Sequence, residues 1–105
     1  MSVMMVLRID ADPKKLEERA AADPDGLRAI SQKAASYGMI AHRFYESAGQ
    51  IVVVDEWPDE QSFMDFFNAT QETIGAMFQS IGMSGQPHPE FWHKLDTHDE
   101  VGWGA

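Results

Sequence analysis

Cysteine is absent from the 105 residues, which removes disulfides, thiolate metal sites and cysteine nucleophiles together and fits a reducing cytosol. Basic residues are few: 8 Lys and Arg stand against 17 Asp and Glu, a formal charge of -9. Such a surface repels phosphate backbones and anionic membranes, so neither nucleic acid nor a membrane is an expected partner. The carboxylates are scattered from Asp10 to Glu100 without a long block, which describes a solvated surface rather than an acidic tail. No apolar run is long enough to span a bilayer. Residues 1–7 are apolar but lack a basic leader and a cleavage-like site, and read as a strand of a cytoplasmic protein. Also missing are a glycine-rich phosphate loop, a nucleophile elbow, an HExxH and a paired-carboxylate motif. Kinases, α/β-hydrolases, zincins and nucleotide-dependent dehydrogenases are therefore unsupported.

What remains is one domain, residues 1–105, with a core over about 3–95 and a polar tail over 96–105 that holds Val101 and Trp103. Residues 3–10 form a strand, with Val3, Met5, Leu7 and Ile9 on one side and Met4, Val6 and Arg8 on the other. Asp12-Pro13 and Asp23-Pro24 each pair a capping carboxylate with a first-turn proline, so the first helical region is expected in two pieces. The first carries Leu16 and Ala20 inward. The second carries Leu27, Ile30 and Ala34 and stops at Gly38. Residues 39–46 and 51–57 are strands separated by Ser47-Ala48-Gly49-Gln50, a hairpin. Asp59 caps a helix in which Phe63, Phe66, Phe67, Thr70, Ile74, Met77, Phe78 and Ile81 recur at three and four. Gly82, Gly85, Pro87 and Pro89 end it, and residues 90–95 make a last short strand.

Strand, helix, strand, strand, helix, strand is the ferredoxin-like βαββαβ unit, an α+β fold in which helices cover one face of a four-stranded antiparallel sheet. Met4, Val6, Val52 and Val54 would line the other face. A second copy packed sheet to sheet would cover them, so a homodimer is expected.

Trp57 closes one strand just before a helix begins, and counting the hairpin outward from Glu46 opposite Ile51 sets Phe44 against Val53, His42 against Asp55 and Ile40 against Trp57. All share the helix-covered face. A three-residue loop would shift the register by one and separate His42 from Asp55. A carboxylate beside a histidine fixes the ring tautomer and favours the imidazolium, which makes His42 a candidate base with Asp55 behind it. The structural alternative is a satisfied polar pair that only holds the hairpin together. His93 is a candidate ligand-contacting side chain from the last strand, with Phe91 and Leu95 expected beside it. His88, His93 and His98 are spaced by five, a poor arrangement for a metal, and no metal site is assigned. Arg43 and Glu56 lie diagonally on the second face, within reach of an ion pair or a dimer contact.

The stretch Tyr37-Gly38-Met39-Ile40-Ala41-His42-Arg43-Phe44-Tyr45, the strand end Asp55-x-Trp57 and the helix with Phe63, Phe66 and Phe67 resemble the dimeric α+β barrel superfamily, which includes the antibiotic-biosynthesis monooxygenase-like proteins. The resemblance covers about residues 3–95. It implies a sheet-to-sheet homodimer with a pocket between sheet and helices, Trp57 within it and Phe63 or Phe67 packing the substrate with it, and oxygenation of an aromatic or polyketide-like molecule without metal or flavin. The haem-degrading branch requires a histidine on the helix after the tryptophan, where this chain has Phe66-Phe67-Asn68. Haem chemistry is therefore not expected. A non-catalytic homodimeric binding or interaction protein is the alternative.

Overall fold

A computed structural model describes residues 1–102, and Trp103 lies outside the described residues. Strands β1 (Val3–Ile9), β2 (Ala41–Ser47), β3 (Gln50–Trp57) and β4 (Pro89–His93) form one antiparallel sheet in the order β2-β3-β1-β4. Helices α1 (Pro13–Ala22), α2 (Pro24–Ser36) and α3 (Glu60–Ser80) complete the ferredoxin-like arrangement. No helix among the described residues is long and apolar enough to cross a membrane.

Each helix starts where a carboxylate meets an orphan backbone donor. Asp12 accepts from the Lys14 amide, Asp23 from Gly26 and Asp59 from Ser62. Asp23 ends α1 as well, its own amide donating to the Arg19 carbonyl, so one residue divides the expected helical region into its two pieces. Helix α2 stops at Gly38 (φ 105°), where the Gly38 and Met39 amides return to the carbonyls of Ala35 and Ala34; Gly82 does the same for α3. A side chain at Gly38 would also crowd Pro58, the residue after β3.

The β2–β3 hairpin turns on only two residues, Ala48 (φ 51°) and Gly49 (φ 78°), between the pair Ser47 and Gln50. Two left-handed residues in a row give the turn whose twist matches flanking strands. The register is the expected one, with Glu46 opposite Ile51, Phe44 opposite Val53 and His42 opposite Asp55. Pairing ends at Ala41 and Glu56. Ile40 donates its amide to the Glu56 carbonyl but does not pair with Trp57, and it is exposed rather than on the covered face.

Strand β4 is shorter than the sequence pattern predicts. Its last residue, His93, pairs with Val3, the first residue of β1, and beyond that point no strand is left to receive Lys94 or Leu95. Leu95 is 75 % exposed.

The helix-covered face buries Val3, Met5, Leu7, Ile9, Ile51, Val53 and Trp57 against Phe63, Phe66, Ile74, Met77, Phe78 and Ile81. Trp57 is wholly inaccessible, with Phe63 edge-on at 5.6 Å and Phe66 at 5.5 Å between ring centroids. Rings of this kind bury about 150–250 Å² each, roughly 4–6 kcal/mol apiece at 25 cal/mol per Å². The opposite face stays open. There Met4, Tyr45 and Trp92 are exposed and Val6, Val52 and Val54 are half-covered, and Met4, Tyr45 and Val54 line a concavity of about 480 Å³. Arg43 and Glu56 line it without pairing: the guanidinium donates to the Tyr45 hydroxyl at 3.4 Å, while the Ser2 hydroxyl donates to Glu56.

Candidate functional site

Asp55 is the one buried charged residue among the described residues, 5 % exposed and two residues before the end of β3. Strand alternation puts it on the covered face, between His42 on β2 and Met5 on β1. A carboxylate in such surroundings is costly unless its oxygens are satisfied, and here both are. Nδ1 of His42 lies 2.7 Å from Oδ1, and the Trp57 indole N–H donates to Oδ2 at 3.1 Å. Among the described residues, no buried side-chain nitrogen or oxygen lacks a partner.

His42 is less enclosed, its side chain 24 % exposed against 6 % for Asp55. Phe44, two residues along the same strand, meets the imidazole edge-on at 4.9 Å and limits its tilt. With Nδ1 turned to Asp55, Nε2 is the ring nitrogen left for another molecule.

The pair opens on a cavity of about 60 Å³ between sheet and helices. Its walls are largely apolar: Met5, Phe44 and Val53 from the sheet, Leu27, Ile30 and Ala34 from α2, and Phe63, Phe67 and Met77 from α3. The polar groups on them are His42, Asp55 and Ser31. An apolar enclosure with a few convergent polar groups suits a small organic molecule with one polar end.

The structure thus brings His42, Asp55, Phe63 and Phe67 to one place and sets two other expected residues apart from it. Trp57 is not on the cavity wall. It lies behind Asp55 and the wall residues Phe63 and Phe66, and its N–H donates to the Asp55 carboxylate. His93 is on the covered side of β4, but at the sheet's far edge, where its exposed ring is 3.7 Å from Glu60. Phe91 is the β4 residue that reaches inward, to Phe63 at 5.7 Å. His98 lies 3.5 Å from Asp96 on the exposed tail, and no group of three or more metal-binding side chains gathers among the described residues.

Ser31 has no place in the sequence-based site. The signal for it is positional: four residues after Leu27 and three before Ala34, it interrupts the apolar stripe of α2 with a hydroxyl.

No protein-family model matches the chain, and no curated protein matches it. Solved structures do match in fold. A monooxygenase from the gene ActVA-Orf6 of Streptomyces coelicolor, in complex with nanaomycin D, is 17 % identical with a TM-score of 0.67, over 90 % of this chain and 88 % of that one. SnoaB, a cofactor-independent oxygenase from Streptomyces nogalater, is 15 % identical with a TM-score of 0.63, over 94 % and 98 %. A dimeric ferredoxin-like protein from an uncultured marine organism is 10 % identical with a TM-score of 0.65, over 95 % and 93 %. The fold these structures share with the chain is the ferredoxin-like α+β fold.

Proposed function

We propose that this protein is a homodimeric, monooxygenase-like enzyme acting without metal or flavin on a small aromatic molecule bound between sheet and helices, with His42 as its base. One observation carries the proposal: the buried Asp55 holds Nδ1 of His42, and both residues line an apolar cavity walled by Phe63 and Phe67. The fold it shares with oxygenases adds support by analogy.

The chemistry suits a phenol. His42 would take the hydroxyl proton, and the electron-rich phenolate ring would pass electrons to dioxygen and form a carbon–oxygen bond to it. Loss of the ring proton from that carbon, with cleavage of the O–O bond, would leave a second carbonyl and release water. Phenol plus dioxygen gives quinone plus water, with all four electrons drawn from the substrate and no external reductant. Asp55 would orient the imidazole and offset its charge when protonated.

The cavity is small. Engineered apolar cavities that accept benzene are about 150 Å³, so an aromatic ring requires the 60 Å³ space to widen. Helix α2 is the wall most able to give, because Leu27, Ile30 and Ser31 are only half-buried and Asp23 separates α2 from α1. The same narrowness favours a second role, a non-catalytic binding or interaction protein in which Phe63, Phe67 and Met77 fill the space and the polar pair secures the hairpin.

The dimer would form through the open sheet face. Met4, Val6, Val52, Val54, Tyr45 and Trp92 make an apolar surface that a second sheet would cover.

Simple phenols and polycyclic phenols, screened for binding by thermal shift and for oxygen consumption, test the function. Binding and turnover in the wild type, with turnover lost in His42→Ala but binding kept, are expected. Binding without oxygen uptake in either protein would favour the non-catalytic role.

A further inference from the structure

We infer that Trp57 is a positioning residue that orients the side chain at position 55: its N–H claims an acceptor on the Oδ2 side, so that the tautomer of His42 follows from what residue 55 has left to offer on the other side. The inference concerns the same site as the proposed function, and its use in catalysis rests on that proposal. The inference itself is about hydrogen-bond polarity and needs no substrate.

An indole N–H donates and never accepts. Wholly buried and packed between Phe63 and Phe66, the Trp57 ring has no room to turn its N–H elsewhere. Whatever occupies the Oδ2 position of residue 55 must therefore be an acceptor. A carboxylate meets that demand and still offers its other oxygen to His42. The neutral imidazole then carries its proton on Nδ1, facing Asp55, and keeps the lone pair on Nε2.

The dependence on Trp57 becomes visible when Asp55 is replaced by asparagine. The amide has one acceptor and one donor end, and Trp57 claims the acceptor. The NH₂ is then forced toward His42, Nδ1 must accept, and the ring proton moves to Nε2. The nitrogen left for a ligand becomes a donor. Without the indole N–H the amide is free to flip, present its oxygen to His42 and restore the first tautomer.

Long-range ¹H–¹⁵N correlation spectra of the histidine rings distinguish these states at a pH where the imidazole is neutral, with His42 assigned by its loss in His42→Gln. The wild type is expected to show Nδ1–H at His42 by at least roughly tenfold, the ratio that one pKa unit of differential interaction represents. Asp55→Asn is expected to show Nε2–H, and Asp55→Asn combined with Trp57→Phe to move back toward Nδ1–H. If the Phe variant does not fold, β-(3-benzothienyl)alanine at position 57 keeps the indole shape without the N–H. Retention of Nδ1–H in Asp55→Asn would overturn the inference, as would a tautomer unchanged by removing the indole N–H from that variant. A tautomer pattern as expected in a protein that binds no phenol would leave the role of Trp57 standing and remove the proposed reaction.

Discussion

Nδ1 of His42 and Oδ1 of Asp55 stand 2.7 Å apart on directly paired positions of neighbouring strands, with the carboxylate the more deeply buried of the two. Removing it would leave the wholly buried Trp57 N–H without its acceptor. Asp55→Ala is expected to lower stability by about 2–3 kcal/mol, from one unsatisfied buried donor and the lost histidine contact. Urea unfolding measures this, and a loss within about 0.5 kcal/mol, typical of surface changes, would show that the pair contributes little to the fold.

Phe67 is half-buried, stacked on Phe63 at 5.7 Å, and walls the cavity. Phe67→Ala should enlarge that space at a cost of about 2 kcal/mol, below the 3–5 typical of a fully buried ring. In exchange, naphthol-sized probes should bind more tightly than to the wild type. Isothermal titration with paired apolar and phenolic probes checks it; unchanged affinity for every probe would mean that ligands do not use this wall.

Val54 lies on the open face, at the centre of the apolar surface assigned to the dimer. Val54→Glu would place a carboxylate opposite its symmetry-related copy or close to it. Sedimentation should show a dimer for the wild type and a monomer for the variant, with secondary structure retained. A monomeric wild type would end the dimer proposal.

Ala48 occupies a left-handed position (φ 51°) that non-glycine residues reach only at a cost of about 1–2 kcal/mol. Ala48→Asn creates the Asn-Gly pair preferred in such turns and should stabilise the protein by roughly 0.5–1 kcal/mol. Gly49→Ala should do the reverse, although nothing lies within 4 Å of the added methyl, because the strain is in the backbone. Thermal unfolding of both variants measures the two signs.

The Asp59 carboxyl is held below its ordinary range by the hydrogen bonds it accepts from the Ser62 amide and hydroxyl at the start of α3. A depressed carboxylate pKa contributes stability above the unfolded value, lost as pH falls through the folded value. The difference between wild type and Asp59→Ala should therefore be full at neutral pH and vanish in strong acid. Parallel unfolding curves from neutral pH down to the acid limit check this, and a difference independent of pH would assign the cap to shape rather than charge.

Much of the architecture is written in short-range patterns. Three aspartates set three helix starts, two glycines in left-handed conformations set two stops, and alternation along β3 puts Asp55 and Trp57 on one face. Strand ends are less legible, because they depend on what the partner strand offers. Leu95 is as apolar as a strand residue needs to be, yet β1 begins at Val3 and leaves it nothing to pair with. Depth is hidden for a similar reason. Periodicity says that Trp57 faces the helices, whereas its distance from the cavity follows from how Phe63 and Phe66 close over it. Ser31 enters the site only when α2 is laid across the sheet.

The two-residue turn at Ala48 and Gly49 has a bearing on distant relatives of this chain. One added or deleted residue there would leave both strands and all three helices intact in composition, yet turn His42 and Asp55 to opposite sides of the sheet. Turn length is thus a one-bit marker of descent. In homologues too diverged for residue-by-residue alignment, counting that loop would sort those able to inherit the pair from those that must do without it.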